Sequence, residues 1–237
     1  KDLIQDQLYV GSYLLLSFLS FMPGVFLFFF KNVENVQEDS LKEGNIRNLK
    51  SIVLQPRFLQ AITAAAFAYA VMSFLMTATP LSMHVMENMS LKETGLVLQF
   101  HVVAMFLPSL ITGNLIKKYG HSAIIYGGVL FFFITVLLSL FEQTYLNYML
   151  SLIFLGLGWN FLFISGTSLV VLTYNKGEKF KVQGVNDLIV FSTMALASLS
   201  AGILLNSIGW KMMNLICIPF LILIILVSFV ADKKSDT

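Results

Sequence analysis

The feature that most constrains this chain is a series of apolar runs, each near the roughly 20 residues a helix needs to cross a bilayer. They occupy residues 11–30, 56–81, 93–116, 122–141, 147–172, 184–206 and 212–231. Hydrocarbon offers no water to backbone N–H and C=O groups, so such runs are expected as helices with internal hydrogen bonds. The expected fold class is all-α, a polytopic membrane protein with about seven transmembrane helices. Composition agrees, at 57% hydrophobic and 12% charged residues with a mean hydropathy of +0.81.

Composition also excludes several functions. A net charge of +2, confined to the connections, leaves no basic face for nucleic acid, and no such partner is expected. The single Cys217 sits inside the last apolar run and reads as a packing residue, which excludes a disulfide framework or a cysteine-built metal site. No His, Cys and carboxylate residues cluster at metal-ligand spacing, no glycine loop ending in Lys-Ser/Thr cradles phosphate, and no nucleophile lies near a base. No enzyme, no metal and no cofactor are expected. A retinal protein would need a lysine in its last helix, and residues 212–231 contain none. The chain opens on Lys1 without a signal-peptide pattern and is expected to be a piece of a longer protein.

The direction of the spans follows from the connections. Gly113-Asn114-Leu115-Ile116-Lys117-Lys118-Tyr119-Gly120-His121 is a tight basic turn between two spans, and lysines in short loops stay on the cytoplasmic side. With that turn inside, twelve of the fifteen Lys and Arg residues fall on the inner side, and Lys1, Lys92 and Lys211 fall outside. None is mid-span, as the cost of charge in lipid requires. Residues 31–55 form the long hydrophilic connection, with a surface helix expected over 46–54. Pro23-Gly24 is expected to kink the first span, Thr77-Ala78-Thr79-Pro80 to break the outer end of the second, and Pro108 to interrupt the third. Gly156, Gly158 and Gly166 should permit close helix approach in the fifth. The abundant Phe and Met residues, including Phe26 to Phe30 and Phe131 to Phe133, are expected to be lipid-facing bulk.

Polar residues at membrane depth are the natural functional candidates, because lipid cannot solvate them. His101, with Gln99, lies about two turns into the third span. It is either a neutral histidine bonded to a neighbouring helix or a titrating group that meets substrate or relays a proton. Trp159 and Asn160 lie deep in the fifth span, far from the interfacial belt. They either pack helices or wall a cavity, with an indole face for stacking and an amide to orient a ligand. Thr77 and Thr79 ahead of Pro80 either end a helix or leave carbonyls facing a cavity. Asn186 and Asp187 stand at the inner start of the sixth span, where a carboxylate stabilises the positive end of a helix.

One span, a charged linker and six closely connected spans fit half of a transporter built from two six-helix halves. The basic turn also resembles the signature loop of the major facilitator superfamily. Gly113, Lys118 and Gly120 match it, whereas Lys117 stands where an acidic residue is usual and His121 where a basic one is. The strings Thr77-Ala78-Thr79-Pro80-Leu81-Ser82-Met83, Gln99-Phe100-His101-Val102, Gly158-Trp159-Asn160-Phe161-Leu162-Phe163 and Lys181-Val182-Gln183-Gly184-Val185-Asn186-Asp187 resemble one bacterial subgroup. Some members of that subgroup are associated with riboflavin or with export of iron chelators.

The resemblance implies the last helix of a missing N-terminal half (residues 1–30), the central linker (31–55), a six-helix C-terminal half (56–231) and a cytoplasmic tail (232–237). It implies a secondary active transporter in the bacterial inner membrane that moves a small organic solute by alternating access. Its partners would be a small-molecule substrate, the lipid bilayer, the missing half and, at family level, a coupling proton. Thr77, Gln99, His101, Trp159 and Asn160 would then line the cavity, and Gly113, Lys117, Lys118, Gly120, Asn186 and Asp187 would form the inner gate. The alternative is a non-transporting membrane module that needs a partner half.

Overall fold

The computed structural model describes residues 10–29 and 47–235, all helix and connection with no strand among them. Most of the expected linker, residues 31–46, and the last two residues of the tail lie outside the described residues. The chain divides into two compact units, 1–45 and 46–237. In the first, α1 (Val10–Phe29) is one apolar helix of 20 residues with Pro23 inside it.

The second unit opens with α2 (Leu49–Val53), whose Asn48 side chain caps the Lys50 N–H. Pro56, which has no N–H to lose, then starts α3 (Pro56–Pro80). The α-helix ends at Pro80, at the expected string, although the helical path continues. The chain widens into a π-helical turn, Leu81–Met86, closed by the Glu87 N–H on Ser82 O at 3.0 Å.

A capping box between Ser90 and Glu93 begins α4 (Leu91–Phe106). Pro108 interrupts the span as expected, and α5 (Ser109–Tyr119) completes it. Gly120, at φ 84°, turns the chain into α6 (His121–Ser139). Thr144 caps α7 (Tyr145–Val171). A 3₁₀ turn, Lys176–Glu178, leads into α8 (Lys179–Ile216), which starts five residues before the expected position, and α9 (Ile218–Ser235) follows.

The stretch Lys179–Lys234 covers 56 residues with one non-helical residue inside α8, Gly209 at φ 75°, ψ 170°. It makes two passes along the bundle. Trp210 packs on Tyr148, which bonds Ser82 at one end of the bundle, while Asp232 reaches Arg57 and Ser122 at the other. The expected turn at 207–211 is therefore present, made by a single glycine. These partners fix alternate directions for the six passes, counting α4 and α5 as one.

Helix α3 is the axis, packed against α7, α8 and α9, while α7 also carries α4 and α6. Of its most apolar window 72% is buried, against 28% for α4 and α5 together. Glycines on α7 set the contacts: a Cβ at Gly166 would stand 2.7 Å from Ala61 O on α3, and one at Gly156 would stand 2.7 Å from His101 O on α4. Small residues let backbones touch where lipid supplies no hydrophobic drive. Phe132, expected to face lipid, is fully buried instead, under the surface that Gly158 leaves open.

Candidate functional site

Five aromatic rings from four helices meet around Trp159. The indole stacks on Phe163 one turn along α7, with centroids 4.9 Å apart and planes at 14°. Tyr69 of α3 stands edge-on to both, at 5.3 Å and 4.9 Å. Phe106, the last residue of α4, is edge-on to Trp159 at 5.9 Å, and Phe191 of α8 closes on Tyr69 at 6.0 Å. Edge-to-face pairs of this kind add about 0.5–1.5 kcal/mol each beyond area burial. Trp159 is buried and Tyr69 and Phe163 are half-buried, whereas Phe106 and Phe191 are exposed, so the cluster has a covered floor and an open rim. The Trp159 Nε1 donor is buried without a partner, a costly condition that an acceptor on a ligand would relieve.

Asn160, next to Trp159, turns to the α4–α5 break. Its Nδ2 donates to Met105 O at 2.6 Å and Ser109 Oγ at 2.7 Å, and its Oδ1 accepts from Thr112 Oγ1 at 2.6 Å. His101 is also enclosed: Nδ1 lies 2.7 Å from Leu152 O on α7, which makes it the protonated nitrogen, and Nε2 has no partner. Thr77 is exposed and shares a 3.0 Å hydrogen bond with Ser198 of α8; Gln99 is exposed, and Thr79 bonds back to Leu75 O. Trp159 and Asn160 are thus brought together with the end of α4, while Thr77, Gln99 and His101 stand apart from them.

At the Arg57 end of the bundle the groups are charged. Arg57 pairs with Asp232 at 2.7 Å, and Gln60, Ser122 and Tyr126 complete a network joining α3, α6 and α9. Arg47 clasps Glu178 through its backbone N–H at 2.9 Å, Nε at 3.0 Å and Nη2 at 2.7 Å, and also reaches Thr173 O. The Arg47 hydrogen bonds, helped by the Asn175 N–H, hold the Glu178 carboxyl down at about 2, and Glu178 in turn raises Arg47. The expected gate residues lie on the surface of this unit: Gly113, Lys117, Lys118, Gly120 and Asp187 are exposed, and Lys118 sits 4.9 Å over the Tyr119 ring. Asn186 is buried and donates to Asp187. Among the described residues no ion pair links Lys117 or Lys118 to Asp187.

A groove of about 480 Å³ between α3, α8 and α9 is lined by Phe67, Phe74, Leu204 and Phe220 among others. Its two hydroxyls, Thr193 and Ser200, bond back to Ile189 O and Ala197 O, so nothing in it orients a polar solute. The aromatic cluster is the better candidate. Sequence reasoning found Trp159 but missed Tyr69, Phe106, Phe163 and Phe191, because nothing in a Phe-rich chain marks the rings that meet. It also missed the Arg47–Glu178 and Arg57–Asp232 pairs; charges at span ends read only as topology, although both pairs do join segments expected on the same side.

Residues 7–191 and 61–237 match the family model of the Major Facilitator Superfamily. The chain belongs to that superfamily. Three curated relatives place it more closely. It is 35% identical over 225 residues to the riboflavin transporter RfnT of Brucella anthropi, covering 95% of this chain and 56% of the relative. It is 26% identical over 217 residues to the uncharacterised MFS-type transporter YdeG of Bacillus subtilis (87% and 50%), and 32% over 165 residues to YddS of the same organism, also an uncharacterised MFS-type transporter (65% and 37%). The chain thus spans about half the length of these relatives or less. Superfamily membership and the long apolar helices agree on a multi-pass membrane protein.

Proposed function

We propose that this superfamily member is the C-terminal half of a secondary active transporter of the bacterial inner membrane, with α1 as the last helix of the N-terminal half. It moves a planar heteroaromatic solute, and riboflavin is the first candidate because a relative at 35% identity carries that name. The observation that carries the reading is the Trp159 cluster with its open rim and buried unpartnered Nε1. A flat tricyclic ring with carbonyl acceptors suits both: its face stacks on the rim, and a carbonyl accepts a hydrogen bond from the indole N–H. Phe191 and Ser198 lie about two turns apart on one face of α8, so the Thr77–Ser198 hydroxyls suit a polyhydroxyl tail on the same solute.

The Arg57 end is the cytoplasmic one in this reading, placing the Lys117–Lys118 turn and the Arg47–Glu178 clasp inside. Gly113, Lys117, Lys118, Gly120, Asn186 and Asp187 form the inner gate with the other half; the exposure of all but the buried Asn186 on this unit suits a contact completed elsewhere. His101, an imidazole with one free nitrogen, serves as the titrating group for a coupling proton; Gln99 lies half a turn away.

The test is uptake by the full-length protein in proteoliposomes, with a panel of flavins and non-aromatic solutes and with or without a proton gradient. Riboflavin uptake that the gradient accelerates, and that W159A lowers at least tenfold, is expected. Flavin-blind transport would remove the substrate assignment, and indifference to the gradient would remove the proton.

A further inference from the structure

The amide of Asn160 is committed to the interruption in the third span. Pro108 has no N–H for Ala104 O, and the next residues re-form the helix from Leu107 and Pro108 carbonyls: Leu110 N on Leu107 O, Ile111 and Thr112 N on Pro108 O. Met105 O, which Ser109 N–H would meet in an unbroken helix, instead receives Asn160 Nδ2 from across the α4–α7 interface. That contact fixes the amide orientation, since only the nitrogen can face a carbonyl. The second Nδ2 hydrogen goes to Ser109 Oγ, and Oδ1 faces Thr112 Oγ1, whose one hydrogen it shares with Pro108 O. Both sides of the break are thereby tied to one side chain: Met105 before it, Ser109 and Thr112 after it.

The break also lies between two regions already described. Phe106, on the rim of the aromatic cluster, is the last residue of α4, and α5 runs from the break to the Lys117–Lys118 turn. Above the break α4 is held to α7 by His101 on Leu152 O and by backbone contact at Gly156. Helix α5 is mostly exposed, with Thr112 its buried residue.

We propose that Asn160 is a positioning residue that latches a proline hinge, setting the direction of α5, and so the place of the inner lysine turn, from the α7 segment that carries Trp159. Asn160 acts here through the hinge and not as a ligand for the solute. The transport arm of its test rests on the transporter reading above; the labelling arm does not.

The test is a double-mutant cycle in the full-length protein between N160A and P108A. Pro108→Ala restores an N–H for Ala104 O and lets Ser109 N–H return to Met105 O, which makes the latch redundant. Two quantities are read: the maximal transport rate beside the equilibrium Kd for riboflavin, and the rate at which a maleimide labels N114C on α5 in a background without other cysteines. N160A is expected to lower the maximal rate at least tenfold with Kd within threefold, and to change the N114C labelling rate at least threefold. In the P108A background the same substitution should cost less than threefold on each.

Equal costs in both backgrounds would overturn the latch, as would a rise in Kd matching the loss of rate. If riboflavin is not transported at all, the labelling cycle alone decides, and unchanged labelling with N160A overturns it. Should N160A fail to accumulate, N160D replaces it. As a neutral acid it keeps the Met105 bond and loses the Ser109 bond, and an effect on labelling smaller than threefold in the Pro108 background but absent with P108A supports the latch; no effect in either overturns it.

Discussion

The middle of the bundle and its Arg57 end are held together by different means. At the end, α3, α6 and α9 are joined by a guanidinium, a carboxylate, an amide and two hydroxyls. In the middle, α4 and α7 are joined by backbone-to-backbone approach at Gly156 and by neutral side chains, His101 and Asn160, set on buried backbone carbonyls. Among the described residues the ion pairs lie at the end, where headgroups and water pay part of the solvation cost, and at depth a neutral donor on a carbonyl does the same work without burying charge. The middle of the bundle is therefore sensitive chiefly to volume, and the end, more mildly, to charge and salt.

That contrast breaks most readily at Gly156. In G156L the new side chain would begin 2.7 Å from His101 O and 2.9 Å from Ala104 Cβ, neither able to step aside cheaply. Overpacking a well-packed core costs about 1–3 kcal/mol where side chains can shift, and a clash with backbone should exceed that, so detergent-solubilised G156L should aggregate or melt well below wild type. A wild-type Tm would show that α4 and α7 are not in backbone contact.

The next effect belongs to the charged end. Both partners of the Arg57–Asp232 pair are about a third exposed, so solvent screening limits D232N to about 1 kcal/mol of stability. The distinguishing sign is salt: added NaCl should narrow the gap between D232N and wild type but leave that of G156L untouched. Identical salt responses would erase the contrast between the two regions.

The smallest effect is at Glu178, and it sharpens the comparison with pH. Its carboxyl is lowered from 4.5 to about 2 by the Arg47 hydrogen bonds. A depressed acid contributes stability that is present above its ordinary value and is lost as pH falls through the folded one. Protease protection of the chain around α2 should therefore hold at neutral pH and fade between about 4.5 and 2 in wild type, while E178Q should lack it throughout. A profile shared by both proteins would mean that Arg47 anchors α2 without Glu178.

Much of this fold is legible in the residues, for a physical reason: hydrocarbon admits few backbone solutions, so apolar length nearly dictates helices. The α4–α5 break at Pro108 and the turn at residue 209 follow the same way, from a missing N–H and from a glycine able to take φ 75°. The π-turn after Pro80 and the early start of α8 do not, since both depend on partners distant in sequence; Glu178 is fixed just ahead of α8 by Arg47, 131 positions earlier. The candidate site is half-legible. Trp159 and Asn160 stand out because an indole and an amide are out of place at that depth. The other four rings of the cluster do not, because the chain has 22 Phe and 8 Tyr and only packing selects among them.

The proposed contact between a planar solute and the Trp159 cluster is measured most directly by binding. Riboflavin fluorescence should be quenched when the full-length protein is titrated in. W159A should weaken that binding at least tenfold, while W210F, altered at the Tyr148 contact far from the cluster, should leave it unchanged. Wild-type affinity in W159A, or an equal loss in both variants, would contradict the site and with it the proposed substrate.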